Sequence, residues 1–169
     1  MRSIIVPTDF SDTANNAVHF AAALSKDYGL ELHLMHAMHV PPVLDVNAPV
    51  TVAQSLMDNA EKATNKKLQK IADEIKDQYA LETILHSEFG LGSDVIISMS
   101  QELGADMVIM GTNGESGFIS NLFGSVTAAV ANKTEVPLLA IPKEANYAGF
   151  KVAVFGNDHK EDVSDEMAS

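Results

Sequence analysis

Gly111-Thr112-Asn113-Gly114-Glu115-Ser116-Gly117-Phe118-Ile119-Ser120-Asn121-Leu122-Phe123-Gly124-Ser125-Val126-Thr127 is the stretch whose reading decides the fold. It follows Ala105-Asp106-Met107-Val108-Ile109-Met110, a short apolar run that reads as a buried strand. It leads into Ala128-Ala129-Val130-Ala131-Asn132-Lys133, which reads as a small-residue helix. A strand ends, a glycine-bearing loop opens, and a helix begins at Gly124-Ser125. The first backbone N–H groups of that helix are unpaired, and the helix dipole adds partial positive charge there. Glycine lets the backbone approach a ligand closely or adopt positive φ. The hydroxyls of Ser125 and Thr127 add donors. These are the requirements of an anion site, with phosphate as the leading candidate.

Two other phosphate motifs are excluded. No Lys follows a loop glycine, so the spacing is not that of a P-loop. Gly90-Leu91-Gly92-Ser93-Asp94-Val95 begins like a dinucleotide fingerprint but places Val95 where the third glycine belongs. A bare glycine loop is also what an ordinary βα connection looks like. The narrower feature here is the spacing: a glycine at the strand end, a second three residues on, nine residues, then Gly-Ser at a helix start.

Outward from this loop, the chain alternates strands and helices. Ser3 to Thr8 is a β-branched run ended by Pro7 and reads as a central strand. Ser11 can cap the next helix, striped by Ala14, Ala17, Val18, Ala21, Leu24 and Tyr28 and stopped by Gly29. Glu31 to His36 reads as a second strand. Leu56, Ala60, Thr64, Leu68, Ile71, Ile75 and Tyr79 stripe a long helix. Glu82 to Phe89 alternates like a half-exposed edge strand. Ser93-Asp94 can cap a helix striped by Ile96, Met99, Ser100 and Leu103. The strand at 136–141 contains Pro137, which removes a ladder donor and places it at an edge. Alternation of this kind means α/β: an open, doubly wound parallel sheet with helices on both faces and right-handed crossovers.

At 169 residues one domain is expected, and 46% hydrophobic residues argue for a packed core. A net charge of −12 disfavours nucleic acid as a partner. It also implies that a bound polyphosphate needs a divalent cation. No apolar run approaches the roughly 18–20 residues that span a membrane. The chain enters a strand at once, leaving no room for a signal peptide, and it has no cysteine, so the cytoplasm is the expected compartment.

Gly-x2-Gly-x9-Gly-Ser over residues 111 to 125 resembles the nucleotide loop of the universal stress protein family. Ile4-Ile5-Val6-Pro7-Thr8-Asp9-Phe10-Ser11 is similar to that family's first strand and turn, and Val136-Pro137-Leu138-Leu139-Ala140-Ile141-Pro142 to its last strand. The resemblance covers residues 1–143. It implies a five-stranded sheet of order 3-2-1-4-5, whose first and fourth strands meet at the switch point where such sheets bind ligands. It further implies an adenine nucleotide, ATP with Mg²⁺ foremost. Pro7, Thr8 and Asp9 are assigned to the nucleotide, with Asp9 near the base or acting through a metal, and the backbone of Ala37 is assigned to adenine. The loop end is assigned to Met110, Gly111, Asn113 and Gly114, and to Gly124, Ser125, Val126 and Thr127. Asp9 reads equally as a turn residue. Nucleotide-binding relatives often carry a basic residue where this chain has Asn113, and Glu115 adds negative charge, so affinity is expected to be modest or Mg²⁺-dependent. The expected function is a dimeric, ligand-responsive regulator paired through strand 136–141. The alternatives are an interaction protein of the same fold that binds no nucleotide, and a slow ATPase.

No nucleophile–base pair, carboxylate dyad or HExxH motif appears, so no catalytic residue is expected. His33, His36 and His39 invite a metal reading, but on a strand a spacing of three alternates faces. Ordinary strand and loop histidines are the expectation. Residues 144–169 form a tail. Within it Lys151-Val152-Ala153-Val154-Phe155-Gly156-Asn157-Asp158 can be laid over residues 2 to 9, as the first strand of a truncated second repeat would be; a chance apolar strand is the alternative.

Overall fold

A computed structural model describes residues 2–39, 50–112 and 124–152. In chain order the elements are β1 (Ser3–Pro7), α1 (Asp12–Tyr28), β2 (Glu31–Met38), α2 (Val50–Tyr79), β3 (Thr83–Phe89), α3 (Gly92–Glu102), β4 (Met107–Gly111), α4 (Ser125–Lys133) and β5 (Leu138–Ile141). The five strands are parallel in the order β3-β2-β1-β4-β5, as the resemblance implies.

Alternate residues of each strand serve opposite faces, which is why the interior strands are apolar throughout. Ile4 and Val6 of β1 pack with Val18 and Leu24 of α1 and with Leu68 and Ile75 of α2. Ile5 points the other way, into a cluster with Ile96 of α3 and Val130 of α4. All five residues of β1 are buried, as a central strand requires.

Ser11 caps α1: its Oγ accepts from the Ala14 N–H at 3.2 Å. Gly29 ends the helix at φ 65, ψ 39, a left-handed conformation suited to glycine. The α1 stripe is buried through Leu24, but Tyr28 at the end of the helix is 59% exposed. In α2 the buried positions are Leu68, Ala72 and Ile75, all in its C-terminal half. Leu56, expected on the apolar stripe, is exposed along with Val50 and Val52.

The expected cap of α3 does not form. Leu91 is the cap, already extended at φ −73, ψ 127, and no side chain bonds the helix start. Ser93 falls two residues too late, and its hydroxyl lies 3.4 Å from Asp94 Oδ1 instead. β5 begins at Leu138, so Pro137 stands just outside it, with its carbonyl accepting from the Val108 N–H at 2.9 Å. β5 is nevertheless an edge strand, as Pro137 suggested.

After β5 the chain turns back along α1. Asn16 Nδ2 donates to the carbonyls of Pro142 and Ala145, each at 3.0 Å. Tyr147 then meets Phe20 edge-on, with ring centroids 5.3 Å apart. Lys151 and Val152 are exposed and in no strand; the rest of the suggested second first strand lies outside the described residues. Among the described residues no helix is long and apolar enough to cross a membrane.

Replacing the Ser11 cap tests the β1–α1 junction. Ser11→Ala should lower the unfolding free energy by about 1 kcal/mol, seen as a lower urea midpoint at unchanged slope. A shift of less than about 0.3 kcal/mol would mean that the junction is held by its other bonds.

Candidate functional site

The turn from β1 into α1 is locked by its own side chains. Thr8 donates its N–H to the Met35 carbonyl at 2.8 Å, and its Oγ1 accepts from the Phe10 N–H at 3.0 Å. Asp9 Oδ1 accepts from the Ser11 N–H at 2.9 Å. These bonds hold Phe10 at φ 67, an uncommon conformation for a residue with a side chain. Asp9 therefore has the turn role its position suggests. It is exposed, and its second carboxylate oxygen has no partner among the described residues.

At the carboxyl edge of the sheet these residues border a cavity of about 480 Å³, within the range of small-ligand sites. Pro7, Thr8 and Asp9 enter it from β1, and Ala37 from β2. Met110 and Gly111 enter from the end of β4. Gly124, Ser125, Val126 and Thr127 enter from the start of α4. Segments distant in sequence thus meet in one crevice. Asn113 and Gly114, the remaining two expected site residues, lie outside the described residues.

Two residues have structural roles beyond those expected of them. A Cβ on Gly111 would stand 2.8 Å from the Thr13 carbonyl oxygen and 2.9 Å from Thr13 Cγ2. Glycine is needed there so that α1 can start against the end of β4. Thr127, expected as a free donor, gives its hydroxyl to the Gly111 carbonyl at 3.1 Å and is buried. It ties the helix to the strand across the intervening loop.

α4 starts at Ser125, where the sequence placed a helix start. Gly124 caps it without a side-chain bond, and the first intrahelical bond runs from the Ala128 N–H to the Gly124 carbonyl at 2.9 Å. The N–H groups of Ser125, Val126 and Thr127 have no partner within the helix.

His36 and His39 also line the cavity, which their reading as ordinary strand and loop histidines missed. The signal was position: His36 directly precedes Ala37 at the carboxyl end of a strand. Its Nδ1 lies 2.7 Å from the Thr8 carbonyl oxygen. His33 shares the face of its register partner Ile5, whereas His36 shares that of Leu34. His33 instead bonds Glu31 at 2.8 Å through Nε2 and His86 at 2.9 Å through Nδ1. Burial, and then the neighbouring His33, lower the pKa of His86. Aligned faces on adjacent strands bring this pair together.

Gly111→Ala should cost about 1–3 kcal/mol through overpacking against Thr13, measured by chemical denaturation. A near-neutral result would show that the start of α1 yields easily.

A crevice of this kind at the switch point defines a doubly wound α/β protein with a ligand-sized site where its central strands part. Residues 1–142 match the universal stress protein family. Universal stress protein MJ0531 of Methanocaldococcus jannaschii is 26% identical over 147 residues, covering 84% of this chain and 82% of the relative. The solved structure of MJ0577 superposes with a TM-score of 0.71 at 25% identity, covering 86% of this chain and 98% of that one. A universal stress protein from Archaeoglobus fulgidus in complex with dAMP superposes at 0.63 and 20% identity, covering 83% and 97%. The chain belongs to the universal stress protein family.

Proposed function

We propose that this protein binds an adenine nucleotide, ATP with Mg²⁺ foremost, and acts as a ligand-responsive regulator in the stress response. The observation that carries the reading is the cavity at the carboxyl edge of the sheet. The start of α4, whose first N–H groups have no partner within the helix, borders it on one side, and the ends of β1 and β2 border it on the other. Phosphates fit at Gly124 and Ser125, where N–H groups without a helical partner and the helix dipole favour an anion. The base fits toward Pro7, Thr8, Asp9 and the backbone of Ala37. The Archaeoglobus fulgidus relative in complex with dAMP supports an adenine nucleotide as the ligand class.

Charge sets the conditions. Among the described lining residues there is no Lys or Arg, and Asp9 is the carboxylate. On a chain of net charge −12, a triphosphate needs a counterion that the lining does not supply. Mg²⁺ would provide it on the phosphate oxygens. This same lack of a basic residue, with the Thr127 hydroxyl already engaged, favours the second reading of an interaction protein whose pocket takes no nucleotide. Assembly follows from β5. Its outer edge is unpaired among the described residues, and a second copy added there in two-fold fashion would cover it.

Calorimetric titration separates the readings. ATP with Mg²⁺ should bind, chelating the metal should weaken ATP by about tenfold or more, and AMP should respond little. Gly124→Val should abolish binding by filling the space beside the helix start. Absence of binding by ATP, ADP and AMP under all conditions would establish the second reading. Sedimentation at micromolar concentration should show a dimer; a monomer would remove the β5 assignment.

A further inference from the structure

His36 is the cavity residue whose hydrogen-bonding character the fold fixes most tightly. Its Nδ1 is 2.7 Å from the Thr8 carbonyl oxygen, and a carbonyl can only accept, so Nδ1 carries the proton. In the neutral ring Nε2 then carries the lone pair. Nε2 has no partner among the described residues and does not figure among the buried side-chain atoms left without one. It is an accessible acceptor on a residue that lines the cavity.

The ring is also held in place. Phe10 packs against it with centroids 4.5 Å apart and planes tilted by 37°. On α2, Lys67 Nζ sits 5.0 Å from the Phe10 centroid, within cation–π range. The turn bonds of Thr8 and Asp9 hold Phe10 in position. The acceptor is therefore preorganised at the end of β2, which β1 separates in the sheet order from β4, the strand that precedes α4.

We infer that His36 Nε2 reads the six position of the purine and selects an amino group over a carbonyl. The inference rests on the nucleotide reading above. With phosphates at the start of α4, the base extends toward β2. There a fixed acceptor pairs with the exocyclic amine of adenine and opposes the O6 of hypoxanthine or guanine. His36 is thus a specificity-determining residue, beyond its part in closing the β1 turn.

The test compares AMP with IMP, which differ at the six position. The wild-type chain should prefer AMP by about tenfold or more, the scale set by one unpaired polar group. His36→Asn keeps an amide nitrogen near the place of Nδ1, preserving a donor to Thr8, and deletes the acceptor. Its AMP affinity should fall about tenfold while IMP is little changed, so the preference disappears. A merely structural role would weaken both ligands together and leave their ratio intact, which would overturn the inference.

Equal AMP and IMP affinity in the wild-type chain overturns the inference while leaving nucleotide binding intact. Failure of both nucleotides to bind overturns the nucleotide reading, and this one with it.

Discussion

The ladder between β1 and β4 lasts only two residue pairs, Ile4 with Met107 and Ile5 with Val108, and the site depends on that brevity. On its other side β1 stays paired with β2 through Pro7 opposite Met35. Likewise β4 stays paired with β5 through Gly111 opposite Ile141. Past Ile5 and Val108 each central strand follows its outer neighbour, and the seam between them opens. Its base is closed by a reciprocal pair: Ser3 N–H to Asp106 Oδ2 at 2.8 Å, and Asp106 N–H to the Ser3 carbonyl at 2.9 Å. Its mouth is the cavity. Thr8 and Thr112, the first residues past the ends of β1 and β4, send their N–H groups outward, to Met35 and Ile141. Neither needs a partner in the gap, so the backbone can part there without leaving those donors unpaired.

The start of α1 lies against one side of this opening. Thr13 packs where a Cβ on Gly111 would stand, so glycine at the end of β4 serves helix packing before it serves any ligand. The Thr127 hydroxyl fastens α4 to the same residue's carbonyl. Gly111 thus joins strand, first helix and last helix at one point. Local rules of chain geometry and the demands of an anion site coincide at this residue.

The alternation of elements could be read from local patterns, the strand order came from the family resemblance, and ten of the residues expected at the site line the cavity. Apolar runs of strand length, a serine before an apolar helical stripe and a glycine at a helix end each report on their own neighbourhood. What escaped depends on partners distant in sequence or on main-chain atoms. Thr127 reads as a spare hydroxyl until Gly111, sixteen residues away, is seen to take its proton. His36 reads as a strand histidine because its partner is a carbonyl, which has no residue-specific signature. Ser93 misled for the opposite reason: its composition suits a cap, but the helix already begins at Gly92, after the extended Leu91. The strap pinned by Asn16 lies beyond the family match, and no periodic pattern announces a segment held by two side-chain amide bonds.

The burial pattern of α2 divides the molecule mechanically. A helix of 30 residues has its buried anchors at Leu68, Ala72 and Ile75, while Val50, Val52 and Leu56 face solvent. Residues such as Ala60, Glu61, Lys66 and Lys67 are good helix formers, but propensity alone leaves a stretch of this length near the margin of stability in water. The first turns can therefore fray without disturbing the sheet, whereas the last turns open only with it. Amide exchange along this one helix should rise steeply from Ile75 back toward Val50, a gradient from global to local unfolding within a single element.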